Sequence, residues 1–171
     1  MEGKDKCFEC GRASYIFYPY LRQNLCRKHF QRLLMKRVNG ILASNGIRGG
    51  IKPSKDNRLG RRFLSFMSKR GRTITPVSSN TLDDFALAVG LYFLFDRIPK
   101  IRIKEVNAFS PLYTTSEDEI ISFFKSKGRE PRPLKRNKEE EYVLDFLRGL
   151  EGRRPGGMIS LVKMGIRLKI I

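Results

Sequence analysis

Apolar positions divide the chain into helical and extended stretches. From Arg27 onward Phe30, Leu33, Leu34, Val38 and Ile41 return at helical intervals and share one face, and Asn45-Gly46 supplies a stop. Residues 59–69 carry Phe63, Leu64, Phe66 and Met67 as a second helix would. Thr81 with Asp84 three positions later is a capping box, opening a helix to about Asp96. That helix is apolar nearly all round, which predicts the buried centre of the fold. Ser116 and Glu119 repeat the capping signature ahead of Ile120, Ile121, Phe123 and Phe124. Residues 138–150 predict a helix with Val143, Phe146, Leu147 and Leu150 inward. Residues 13–20, 73–78 and 100–106 have strand character, the first as a short hairpin. Residues 46–58, with Gly46, Gly49, Gly50 and Pro53, read as a loop, and Pro131 and Pro133 mark a basic connector.

A length of 171 residues, 40% of them apolar, fits one ordinary domain with room for a small appended module. The opening Met-Glu-Gly-Lys-Asp-Lys is no secretory signal, and the longest apolar run, residues 85–95, is too short to span a bilayer. A cytoplasmic protein without membrane association is expected. Charge changes the picture more. Lys and Arg number 35 against 17 Asp and Glu, a net charge of +18, and an excess of that size calls for a polyanion such as RNA. A hot-environment surface would mix signs instead.

The cations are also placed. Lys28, Arg32 and Lys36 line up one helical turn apart, and Arg48, Lys52, Lys55, Arg58, Arg61 and Arg62 follow with only Asp56 opposing. We expect phosphate contacts from Lys28, Arg32, Lys36, Arg48, Lys52, Arg58, Arg61 and Arg62; the alternative is a solvated face. Tyr15, Phe17, Tyr18 and Tyr20 fit either base stacking or packing beneath a small module.

Three cysteines and one histidine fall in two pairs, Cys7-x2-Cys10 and Cys26-x2-His29. This is the spacing of a closed, tetrahedral structural zinc site, in which no position remains for substrate. A disulfide plus one free thiol is the alternative. If all four residues hold zinc, no thiol is left for sulfur or redox chemistry.

Cys7-x2-Cys10, the Tyr18-Pro19-Tyr20 stretch and residues 25–30, Leu-Cys-Arg-Lys-His-Phe, resemble the N-terminal zinc module of the tRNA 2-thiolation enzymes. These are the TtuA-like branch of the PP-loop ATP pyrophosphatase superfamily. Asn80-Thr81-Leu82-Asp83-Asp84-Phe85-Ala86 is similar to that family's His-Asn-Leu-Asp-Asp-x-Ala motif. Phe109-Ser110-Pro111-Leu112 is similar to its Lys-Pro-Leu-Arg segment, and residues 154–161 to its His-Pro-Gly-x-x-x-Ser-Leu stretch. The resemblance implies an α/β body of reduced PP-loop type, helix-rich with a small sheet, behind a zinc module. It divides the chain into residues 1–45 and 46–171.

The chain departs from the family at the phosphate loop. In place of Ser-Gly-Gly-Lys-Asp-Ser stands Gly49-Gly50-Ile51-Lys52-Pro53-Ser54-Lys55-Asp56-Asn57, with no apolar strand expected ahead of it and one backbone donor lost at Pro53. The family's cluster-binding or sulfur-carrying cysteines have no counterpart. Ser54, Lys55, Asp56, Asp83 and Asp84 are a nucleotide-site remnant on the resemblance; otherwise the first three are solvated loop and the two aspartates serve helix capping. We therefore expect zinc as a structural cofactor, no ATP, no catalytic residue, and tRNA or another structured RNA as partner. An active thiolation paralogue or a sulfur-carrier protein is a further expected partner. Two alternatives stay open: an ATP-dependent tRNA sulfurtransferase supplied with sulfur by a partner, and an interaction module for an acidic protein.

Overall fold

Strand β1 (Ile16–Tyr18) pairs antiparallel with β2 (Gln23–Leu25), and helix α1 (Arg27–Ser44) follows. The hairpin therefore has its second strand beyond residues 13–20, after a turn at residues 19–22. The computed structural model describes residues 6–68, 73–99, 104–105 and 108–171. Asn45 ends α1, with its N–H on the Leu42 and Ala43 carbonyls, and Gly46 follows at φ +74°.

Residues 46–58 are not a plain loop. They contain β3 (Gly50–Pro53), which runs parallel to β4 (Ile74–Val77). Only Ile51 gives this strand an apolar signal; its order comes from the partner and from Ser68, whose hydroxyl accepts from Ile51 N–H at 3.2 Å and donates to Ile51 C=O at 3.1 Å. Pro53 is tolerated because β3 is an edge strand. The stretch read as loop thus holds a short strand that leads into Ser54, although no strand stands directly ahead of Gly49. Helix α2 (Arg58–Met67) follows, capped by the Asn57 side chain.

Helix α3 (Leu82–Phe95) begins where predicted, with the Asp84 carboxylate accepting the Thr81 N–H at 2.8 Å. The expected strand over 100–106 lies largely outside the described residues. Its described part is β5 (Lys104–Glu105), antiparallel to β6 (Ala108–Phe109), which pairs parallel with β4 to complete the order β3-β4-β6-β5. The chain continues through α4 (Glu117–Lys125), α5 (Lys138–Arg153) and α6 (Gly157–Arg167), the last unanticipated.

Two apolar clusters hold these elements. One joins Phe30, Leu34 and Val38 of α1 to Phe63 and Leu64 of α2 and Ile120, Phe123 and Phe124 of α4. Its centre is an edge-to-face pair, Phe63 on Phe123, with centroids 5.0 Å apart. The other gathers Phe85 and Val89 of α3, Val143, Leu144 and Leu147 of α5, and Met158 and Val162 of α6. Gly165 lets α6 approach closely: a Cβ there would lie 2.5 Å from a Val89 methyl.

Burial differs from expectation at one edge. Phe93, Leu94 and Phe95 are 46–54% exposed, as α5 and α6 cover α3 only along its earlier turns. Phe146 and Leu150 also face outward, leaving Leu144 to take the inward place. The result is an open apolar groove of about 760 Å³ between α3, α5 and α6. Among the described residues no helix is long and apolar enough to cross a membrane.

Candidate functional site

The Cys7–Cys10 turn is a tight knuckle. The Cys7 carbonyl accepts from Gly11 N–H at 2.8 Å and from Cys10 N–H at 3.4 Å, and Gly11 takes φ +68°, a conformation natural to glycine. Cys26 stands at the N-cap of α1 with no side-chain capping bond, so its sulfur stays available, and His29 comes from the first turn. The four donor atoms lie within 4.8 Å of one another. Cys10 Sγ is 3.8 Å from Cys26 Sγ, and His29 Nδ1 is 3.3 Å from Cys7 Sγ and 3.6 Å from Cys26 Sγ. Thiolates on one zinc ion at about 2.3 Å in a tetrahedron are themselves about 3.8 Å apart, so the donor set is compatible with a single metal ion such as zinc. Burial pushes the Cys7 thiol up, but the hydrogen bonds to His29 and backbone amides outweigh it and hold it down at about 6. No two of the three sulfurs are bonded in the structure, and their gathering with His29 favours a metal over a disulfide.

The module is seated on α4. The Tyr15 hydroxyl donates to Ser122 C=O at 2.8 Å, Tyr18 to the Glu119 carboxylate at 2.8 Å, and the Gln31 amide to Ser126 Oγ at 2.6 Å. Burial, then the Glu119 charge, raises the Tyr18 phenol above its ordinary range. Tyr15 and Tyr18 thus pack beneath the module, whereas Phe17 is 56% exposed.

The loops after β3 and β4 meet at the carboxyl end of the sheet. Ser54 N–H donates to Val77 C=O at 2.8 Å, Ser79 N–H to Ser54 Oγ at 2.9 Å, and Asn57 N–H to Ser79 Oγ at 2.9 Å. Ser54 Oγ also meets the Asp56 carboxylate at 2.5 Å, while Lys55 is exposed. The hydroxyls of Ser54 and Ser79 and the amide of Asn57 are therefore engaged with one another. Gly60 closes the crevice further, since a Cβ there would fall 2.0 Å from the Ser79 carbonyl oxygen.

Behind this edge Asp83 and Asp84 enter a network of acids and arginines. Asp83 accepts from Glu117 N–H at 2.7 Å and from Arg148 at 2.9 Å. Asp84 accepts from the Asn57 amide at 2.6 Å and from Arg136 at 3.0 Å, and Arg136 also grips both oxygens of Glu117. Burial and the neighbouring Glu117 charge raise Asp83 to about 6, against the pull of Glu117 N–H and Arg148. Burial works against the charge of Arg136, but Glu117 and Asp84 outweigh it and raise its pKa.

The predicted phosphate contacts form two groups. Lys28, Arg32 and Lys36 are exposed along α1, beside Gln31, Met35 and Asn39. Arg58, Arg61 and Arg62 line one cleft on α2, joined there by Arg132. Arg48 and Lys52 are exposed but belong to neither group. Sequence reasoning passed over Arg132, Arg136, Arg148 and Glu117; the basic connector held the only signal, and nothing in it told outward from inward arginines.

No protein-family model matches the sequence, and no curated protein matches it. A solved structure does: the U34-tRNA thiolase NcsA from Methanococcus maripaludis, determined with its [4Fe-4S] cluster, superposes with a TM-score of 0.75 over 98% of this chain and 88% of that one. Identity is 17%, so the likeness is one of architecture. The fold expected from the motif resemblance is the fold observed, that of a tRNA thiolation enzyme with a Cys3His cluster at its N-terminus.

Proposed function

We propose that this chain is a zinc-containing, non-catalytic relative of the tRNA thiolation enzymes that binds tRNA or another structured RNA, alone or as accessory subunit to an active paralogue. One observation carries the reading: all three thiols of the sequence converge with His29 on one site. A sulfurtransferase needs a thiolate, persulfide or cluster to carry sulfur, and none remains. Zinc suits the site better than a [4Fe-4S] cube, because a cube spreads its ligands over separate irons and needs donors farther apart than those on a single ion. The exposed row of Lys28, Arg32 and Lys36, with Arg48, Lys52, Arg58, Arg61 and Arg62, supports RNA as the partner.

A second reading, an ATP-dependent tRNA-modifying enzyme, is favoured by the loop of Ser54, Lys55 and Asp56 standing at the carboxyl ends of parallel strands, where such folds bind ligands. The bonds already made among Ser54, Ser79 and Asn57 weigh against it. Anisotropy of labelled tRNA across a salt series, beside a calorimetric ATP titration, separates the two. We expect salt-sensitive tRNA binding, no saturable ATP binding, and weaker tRNA binding when Lys28, Arg32 and Lys36 are all replaced by Gln. Saturable ATP binding with tRNA-stimulated release of AMP or pyrophosphate selects the enzyme; an absence of tRNA binding defeats the RNA reading.

A further inference from the structure

Three arginines of α2, Arg58, Arg61 and Arg62, are spaced so that their side chains leave one face of the helix, while Leu59, Phe63 and Leu64 are buried on the other. They meet Arg132, which comes from the connector more than sixty residues later, across an open cleft of about 550 Å³. Four guanidiniums thus surround one concavity in which, among the described residues, Glu130 is the only carboxylate. Like charges gathered this way cost the fold free energy unless an anion joins them.

The arginines that serve the fold look different. Arg37, Arg97, Arg136 and Arg148 each lie within ion-pair distance of a carboxylate. Among the described residues none of Arg58, Arg61, Arg62 and Arg132 does. Arg62 instead sets its guanidinium over the Phe124 ring, 5.1 Å from the ring centre. An aromatic ring takes up no N–H donor in an ion pair, and the forked donor set of arginine matches two phosphate oxygens.

The connector wall is fixed although it has no helix or strand of its own. Pro131 is buried, and Arg136 ties the segment to Glu117 and Asp84. The cleft also adjoins the row on α1. Gln31 of α1 reaches Ser126 at the end of α4, and Lys127 sets its ammonium 5.9 Å from the Phe123 ring, which itself packs edge-to-face with Phe63 and Phe66 of α2. The cationic end of α4 therefore bridges the two basic groups. Among the described residues no aromatic side chain lines the cleft to receive a base.

We propose that the cleft formed by Arg58, Arg61, Arg62 and Arg132 seats a backbone phosphate of the bound RNA, the second grip on a strand that also passes the α1 row. This rests on the RNA-binding reading above and names the part of the surface that holds the ligand. The shared chemistry is a phosphate dianion or diester, which a small anion also offers.

The test compares the full chain with Arg61→Gln/Arg132→Gln and with Lys163→Gln/Arg167→Gln, which removes two exposed cations from α6. Binding of labelled tRNA is followed across a salt series, and inorganic pyrophosphate is titrated in parallel. The cleft variant should bind about tenfold more weakly and lose about one unit of the log-log salt slope, with a melting temperature no lower than the parent's, while the α6 variant changes less than about twofold. If the cleft variant does not fold, Arg132→Gln alone, on an exposed irregular segment, carries the same comparison. Equal losses in both variants, or a parent-like cleft variant, overturn the cleft while leaving the RNA reading standing on the α1 row. Pyrophosphate binding lost in the cleft variant with tRNA binding intact overturns it in favour of a small-anion site. A parent chain that binds no tRNA at any salt defeats both.

Discussion

The Arg37 guanidinium donates to the Glu119 carboxylate at 2.7 Å across 82 residues of chain, and the same carboxylate accepts the Tyr18 hydroxyl. Glu119 also closes the capping box of α4 by accepting the Ser116 N–H at 2.9 Å. One buried acid therefore ties the hairpin, α1 and α4 together. Removing it strands a largely buried cation and a buried phenol. Glu119→Ala should cost about 3 kcal/mol in urea unfolding, whereas Tyr18→Phe, which leaves the ion pair, should cost about 1 kcal/mol. Equal effects would mean that the ion pair holds nothing together.

Elemental analysis should find one zinc per chain. Cys10→Ser should lose it and melt at lower temperature, because the ligands converge only in the folded module and metal affinity is coupled to folding. A variant that keeps both zinc and melting temperature would show that Cys10 is not a ligand.

Asp83 gives the pH dependence a readable sign. Its folded pKa of about 6 stands above the ordinary 3.8, so the folded chain holds the proton more tightly than the unfolded one. Its contribution to stability is thus present at low pH and lost as pH rises through about 6. Relative to Asp83→Asn, the parent should gain melting temperature as pH falls from 7.5 to about 4.5. Effects of acid on the metal site occur in both proteins and cancel. Parallel curves would contradict the raised pKa.

Glycines in two helices should behave oppositely. Gly60→Ala drives a methyl group against the Ser79 carbonyl oxygen, 2.0 Å away, and should cost several kcal/mol or prevent folding. Gly40→Ala in α1 meets open space and should stabilise by about 1 kcal/mol through helix propensity. Chemical denaturation of the two variants checks the pair.

What the sequence made legible were features that announce themselves locally. The capping boxes of α3 and α4 and the cysteine spacings are decided within a few residues, and they stand where expected. Strand β3 was not legible, because one isoleucine between glycines and a proline becomes a strand only through its partner β4 and Ser68. Helix α6 opens on Gly156-Gly157 and owes its place to packing on α3 and α5. The outward turn of Phe146 and Leu150 had the same cause, since the helical period marks a face but not how far the neighbouring helix reaches. Arg132 and Arg136 stand four residues apart in one basic stretch, one outward and one inward; only the position of Glu117 and Asp84 separates them.

Asp84 serves three masters. Its carboxylate caps α3 at Thr81, holds the Asn57 side chain that caps α2, and receives the arginine that pins the connector. A residue fastened on three sides has a structural task that is complete without any bound nucleotide. The Asp-Asp signature in a chain of this fold is therefore no guide to whether it spends nucleotide.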